Sequence, residues 1–273
     1  MLKLIQSKMK NLFIILLAIA IASCGNSKKN KGSEDKKMNI AAAGATFPLP
    51  FYNLAFKTYQ EKTGNTVTYG GIGSGGGIRS LKDKIVDFGG SDAYLSDSEM
   101  QEMPYTAIHI PTCMGAVVLA YNLPEVKDLK LSGEVVADIY LGKSTKWNDA
   151  KIKELNPGIT LPDKELTPVY RSDGSGTTFV FSDYLTKVSA NWKENVGTGK
   201  SLKWPVGLAA KGNPGVAGTI SQTPGAIGYI GSEYAFSLNI PMAQMKNSSG
   251  NFITPNTESI SAAAKGDIPA DTR

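Results

Sequence analysis

Four glycine-bearing stretches of the sequence combine hydroxyls, backbone amides and charge in the way that capture of a small anion requires. In AAAGATFPLPFY, Thr46 and Phe47 stand just before Pro48 and a run with helical period. A hydroxyl and unpaired amides at a helix start point outward as donors, although a plain helix cap would use the same residues. In GGIGSGGGIRSL, Ser74 is followed by three glycines and then a helix. Glycines let amides wrap an anion closely, and the helix field favours negative charge. In VYRSDGSGTTFVFSDYL, Arg171 ends a strand and Ser175, Gly176 and Thr177 open an amphipathic helix. A guanidinium fork with hydroxyls and amides beside it suits an oxyanion; a capped helix with a surface arginine is the alternative.

The fourth stretch, VDFGGSDAYLS, adds Ser91 and Asp92, and an acid is the wrong charge for attracting an anion. Its plain reading is a helix N-cap. If it faces the cleft, it is tolerable only where the ligand brings a proton. Hydrogen phosphate can donate to Asp92, whereas sulfate at neutral pH has no proton to give and leaves the carboxylate repelled and unpaired. Other chemistries lack their parts. GxxxxGK[ST] is absent, and the G-x-G-x-x-G match at Gly71, Gly73 and Gly76 has no well-placed ribose-binding acid, so nucleotide hydrolysis and a dinucleotide cofactor are not expected. With two cysteines, one histidine and no CxxC or HExxH, neither a disulfide framework nor a metal site is expected.

These residues need rigid elements behind them. Candidate strands are NIAAAGA, NTVTYGGIG, VDFGGSD, TAIHIP, CMGAVVLAYN, LTPVYRSD and GAIGYIGS. Candidate helices are PLPFYNLAFKTYQEKTG, GGIRSLKDK, SGEVVADIYLG, DAKIKELNP, TTFVFSDYLTKVSANWKENV and SISAAAKG. Such alternation predicts an α/β fold with ligands beyond the carboxyl ends of strands, and two lobes, 39–112 and 113–273. Phe51, Leu54, Ala55 and Tyr59 are expected to form the core stripe of the first helix, and Cys113 to be a buried small hydrophobe.

The N-terminus reads as an address. Lysines at 3, 8 and 10 precede an apolar run from Leu12 to Ala22, too short to span a bilayer, and Ile21-Ala22-Ser23 leads into Cys24. Residues 1–23 are expected to be a signal peptide, and 24–38 a lipidated Cys24 with a flexible tether. The formal charge of +5 is concentrated there: from Met38 onward 21 basic residues face 22 acidic ones. A body so nearly neutral argues against nucleic acid as a partner.

Together AGATFPLPFY, GIGSGGG, VDFGGSDAYLSD, LGKSTKWND, YRSDGSGTTFVFSDYL, WKENVGTGKSLKWPVG, AAKGNPGV and PGAIGYIGSEYA resemble the phosphate-binding proteins of bacterial high-affinity phosphate ABC transporters. The resemblance covers residues 39–266. It implies a two-lobed periplasmic-binding-protein-like fold (type II) in the periplasmic space of the cell envelope, anchored there by the lipid expected on Cys24, that closes on inorganic phosphate and delivers it to permease subunits without catalysing a reaction. It places phosphate ligands at Thr46, Phe47 (amide), Ser74, Asp92, Arg171, Ser175, Gly176 (amide) and Thr177. It puts Asp173 behind Arg171 to hold the guanidinium. Family members continue past the AAAKG segment to complete the first lobe, so either the sequence is truncated at Arg273 or that lobe is incomplete. A sulfate receptor, a phosphate-ester hydrolase and a surface adhesion lipoprotein are the competing readings.

Overall fold

The computed structural model describes residues 37–265. The signal peptide, Cys24 and all but the last two residues of the tether lie outside the described residues. Strands β1 (Asn39–Gly44), β2 (Thr66–Gly71) and β3 (Phe88–Gly90) form a parallel sheet in the order β2-β1-β3. Parallel neighbours need crossovers, which α1 (Leu49–Thr63) and α2 (Ser74–Lys82) supply; α3 (Asp97–Gln101) follows β3.

A second, mixed sheet has the order β4-β8-β6-β7, from β4 (Val117–Tyr121), β6 (Thr167–Arg171), β7 (Leu208–Ala210) and β8 (Ala226–Gly231). Only β4 runs antiparallel to its neighbour. A small sheet joins β5 (Lys130–Leu131), β9 (Gln244–Lys246) and β10 (Phe252–Ile253). The helices of this part are α4 (Gly133–Tyr140), α5 (Ala150–Leu155), α6 (Gly176–Val188), α7 (Ala190–Asn195), α8 (Gly212–Gln222), α9 (Ser232–Leu238) and α10 (Thr257–Ala263).

The second sheet is covered on both faces, so its strands carry near-continuous apolar runs. Leu119, Tyr121, Ile227 and Tyr229 enter one core cluster with Phe181 and Trp192; Val118, Ala120, Val169 and Ile230 enter another with Val216 and Ile220. That division follows the two-residue alternation of a strand. The first sheet rests on less: Ala42, Ala43 and Tyr52, with Phe56, Tyr69 and Phe88 in an aromatic group whose Tyr52–Tyr69 centroids lie 4.9 Å apart. The first sheet ends before residue 112 and the second begins at 117, while the described residues from Met38 onward belong to one compact unit.

Several local expectations are corrected. On α1 the inward face carries buried Tyr52 with half-buried Ala55, Phe56 and Tyr59, so Ala55 and Tyr59 lie where expected, whereas Phe51 and Leu54 are 45% and 67% exposed. Two apolar stripes compete on that helix, and the aromatic pair prevails because Tyr69 and Phe88 meet it. TAIHIP forms no strand: Ile108 and Ile110 are exposed, and so is Cys113, against the expected burial. Alternation makes a strand only where a neighbour accepts the ladder, and none pairs with this segment among the described residues. The long helix expected over 177–196 breaks at Ser189, which turns extended and caps α7 by accepting the Trp192 amide at 3.2 Å.

Candidate functional site

Strand ends bring the candidate residues together. β1 runs into Thr46, β2 into Ser74, β3 into Asp92, β6 into Arg171 and the Asp173–Thr177 turn, and β7 into Gly212 and Asn213. Thr46, Ser74, Arg171, Ser175, Thr177 and Asn213 are all buried. Five strand termini from two sheets converging on buried polar side chains is the site geometry of open parallel α/β sheets.

Three of the hydroxyls, on Ser74, Thr46 and Thr177, share one property: N–H groups fill their lone pairs. Ser74 Oγ accepts the Gly176 amide at 3.0 Å and the Asp92 amide at 3.3 Å. Thr46 Oγ1 accepts the Asn213 amide and Asn213 Nδ2, each at 3.0 Å. Thr177 Oγ1 accepts Asn213 Nδ2 at 3.2 Å and Arg171 Nη1 at 3.5 Å, and donates its own proton to Asp92 Oδ2 at 3.3 Å. A hydroxyl so occupied has a proton to give and little capacity to receive. Ser175 Oγ accepts the Thr178 amide at 3.0 Å as the N-cap of α6.

Arg171 is gripped from behind. Its Nε donates to Asp173 Oδ1 at 2.8 Å and its Nη2 to Oδ2 at 2.5 Å, a bidentate pair with the guanidinium almost wholly buried. Asp173 also accepts the Gly212 amide at 3.0 Å. Burial pushes the Asp173 carboxyl up, but Arg171 and Gly212 together pull it below the ordinary 3.8, so it stays ionised. The Arg171 amide donates to the Tyr229 hydroxyl at 3.0 Å, which itself bonds Thr178 Oγ1 at 2.7 Å. The position of the guanidinium is therefore set from both its head and its backbone.

Asp92 lies one hydroxyl away from Arg171, through Thr177. Burial pushes its carboxyl up from 3.8 to about 6; Arg171 and the Thr177 hydroxyl pull it back, and Glu233 adds repulsion. Near neutral pH it is mostly a carboxylate, and it is the acceptor among these donors. The two halves of the site approach closely. A Cβ at Gly176 would lie 2.6 Å from both Asp92 Cβ and Ser74 Oγ, and one at Gly73, whose φ is +85°, would lie 2.3 Å from Asp173 Oδ2.

The structure thus brings Thr46, Ser74, Asp92, Arg171, Ser175, Gly176 and Thr177 to one locality with Asp173 behind, and Phe47 packs its ring against Gly115 and Gly231 beside it. Cys24 lies outside the described residues. Asn213, Tyr229 and Tyr234, whose hydroxyl donates to the Thr46 carbonyl, escape sequence reasoning. Asn213 had a signal: AAKGNPGV repeats the pattern of a strand end, a glycine and a polar residue. The tyrosines sit inside apolar runs with nothing to distinguish them from core.

A mixed α/β domain with buried hydrogen-bond donors at its strand ends is of the periplasmic-binding-protein kind, and residues 29–270 match the model of the PBP superfamily domain. The chain is 47% identical over 227 residues to the phosphate-binding protein PstS of Pasteurella multocida, covering 82% of this chain and 65% of that protein. It is 40% identical over 270 residues to PstS of Xylella fastidiosa strain Temecula1, covering 93% of this chain and 74% of that one. The chain belongs to the PstS family of phosphate-binding proteins. It spans 65% of the length of the Pasteurella relative. A solved structure from Clostridium perfringens with bound phosphate, assigned to a phosphate ABC transporter, superposes with a TM-score of 0.64 at 19% identity, over 83% of this chain and 81% of that one. That likeness is one of fold.

Proposed function

We propose that this chain binds inorganic phosphate between two lobes, 39–112 and 113 onward, and hands it to the permease subunits of an ABC importer, held at the membrane by a lipid on Cys24. Thr46, Ser74, Asp92, Arg171, Ser175, Thr177 and the amides of Phe47 and Gly176 are the ligands, with Asp173 holding Arg171. One observation carries the reading: hydroxyls whose lone pairs are filled by N–H groups meet one guanidinium and one carboxylate acceptor. Such a set fits a tetrahedral anion that accepts many hydrogen bonds and donates one. The family membership supports the same ligand.

Binding exchanges the Gly176–Ser74 contact for bonds to the anion, so ligand ties the two halves together in a type II closure. Hydrolysis lacks support at Ser175, whose oxygen is committed to the Thr178 amide rather than to a base. Calorimetric titration tests the reading: one phosphate site per chain is expected, removed by Arg171→Ala. Absence of phosphate binding by the folded chain overturns it.

A further inference from the structure

A hydroxyl in a binding site can give or receive, and its other partners decide which. For two of the hydroxyls here those partners trace to Asn213, which is fully buried. The orientation of its amide is settled by the Gly231 N–H, which donates to Asn213 Oδ1 at 2.9 Å. Nδ2 must therefore face the other way, and it donates to both Thr46 Oγ1 and Thr177 Oγ1. The Asn213 backbone amide fills the second lone pair of Thr46, and Arg171 Nη1 fills that of Thr177. Each threonine is left with only its proton to give: Thr46 can present it directly, while Thr177, whose proton goes to Asp92 Oδ2 at 3.3 Å, must turn it to the anion on binding.

We propose that Asn213 is a specificity-determining positioning residue: without touching the anion, it holds Thr46 and Thr177 as obligate donors, leaving Asp92 to do the accepting. The proposal rests on the reading of the site as a phosphate receptor. Two donors that cannot turn round favour an anion rich in acceptors and set against it a single place for a ligand proton. One side chain also joins three strand ends, since Thr46 follows β1, Thr177 lies just past β6 and Gly231 ends β8. Truncating it costs binding because freed hydroxyls can point away from the ligand or accept from one another.

The test is a double-mutant cycle in phosphate affinity, measured calorimetrically below the melting transition of each variant. Asn213→Ala is expected to weaken phosphate binding at least tenfold in the otherwise native chain. In Thr46→Val and Thr177→Val backgrounds the same change is expected to cost clearly less, about threefold, because the hydroxyl it orients is gone. Asn213→Asp keeps an acceptor for the Gly231 amide and serves where the alanine variant is unstable; it reverses the polarity toward both threonines and is expected to weaken binding about a hundredfold. Unaltered affinity in Asn213→Ala, or a penalty of the same size in all backgrounds, overturns the assignment while native binding stands. A native chain that takes up no phosphate overturns the receptor reading itself.

Discussion

Replacing Asp92 by asparagine separates the carboxylate's cost from its use. The Asp92 carboxyl is raised by burial from an ordinary 3.8 to about 6, against the pull of Arg171 and Thr177. A folded-state value above the unfolded one means that the stabilising contribution is fully present below about 3.8 and is lost as pH rises through about 6. At pH 8 the ionised group therefore costs the unliganded protein up to about 3 kcal/mol, at 1.36 kcal/mol for each tenfold step in proton affinity. Asp92→Asn removes that charge and keeps an oxygen for the Thr177 hydroxyl. Phosphate-free variant is expected to melt above native protein at pH 8, by up to roughly 6–12 °C for a domain of this size. The gap should shrink as pH falls from 8 to 4. Scanning calorimetry at three pH values measures both. An offset that does not change with pH, or a variant less stable at pH 8, refutes the electrostatic reasoning. The same variant should lose phosphate affinity and gain sulfate affinity, because the amide nitrogen donates where the carboxylate could only accept.

Arg171→Lys keeps a positive charge but cannot reproduce the bidentate bond to Asp173, so phosphate affinity should fall about a hundredfold by titration. Gly176→Ala sets a Cβ 2.6 Å from Asp92 Cβ and Ser74 Oγ. It should abolish tight binding while circular dichroism shows the fold retained. Lys200, whose carbonyl accepts the Ser175 amide, reaches Glu99 after β3 at 2.5 Å across the site's rim. Lys200→Ala should speed phosphate release about fivefold in stopped-flow fluorescence, the value of about 1 kcal/mol, and the difference should vanish in about 1 M salt.

Most of the candidate site is legible as a cluster because each proposed ligand residue follows a strand end marked by glycine and a hydroxyl or charge, and a local pattern suffices to place a residue at a strand end. What joins strand ends is not local. Asn213 acts through Thr46, 167 positions away, and Tyr229 reaches Arg171 across 58. TAIHIP shows the converse failure: the alternation of Thr106, Ile108 and Ile110 is real, but a strand also needs a neighbour, and its apolar side chains remain exposed. On α1 the period places Ala55 and Tyr59 on the inward face but does not choose Tyr52 over Phe51, since both are aromatic and only Tyr69 and Phe88 decide between them. Helix α8 is hidden by composition: GNPGVAGTISQ is poor in helix formers, and packing against β8 holds it.

The central claim is that the site reads a ligand proton through Asp92 while its other side chains only donate. Titrating native protein in parallel with phosphate and sulfate at pH 8 tests it most directly. Phosphate should bind at one site, and sulfate at least a hundredfold more weakly. Equal affinity for the two anions contradicts the claim.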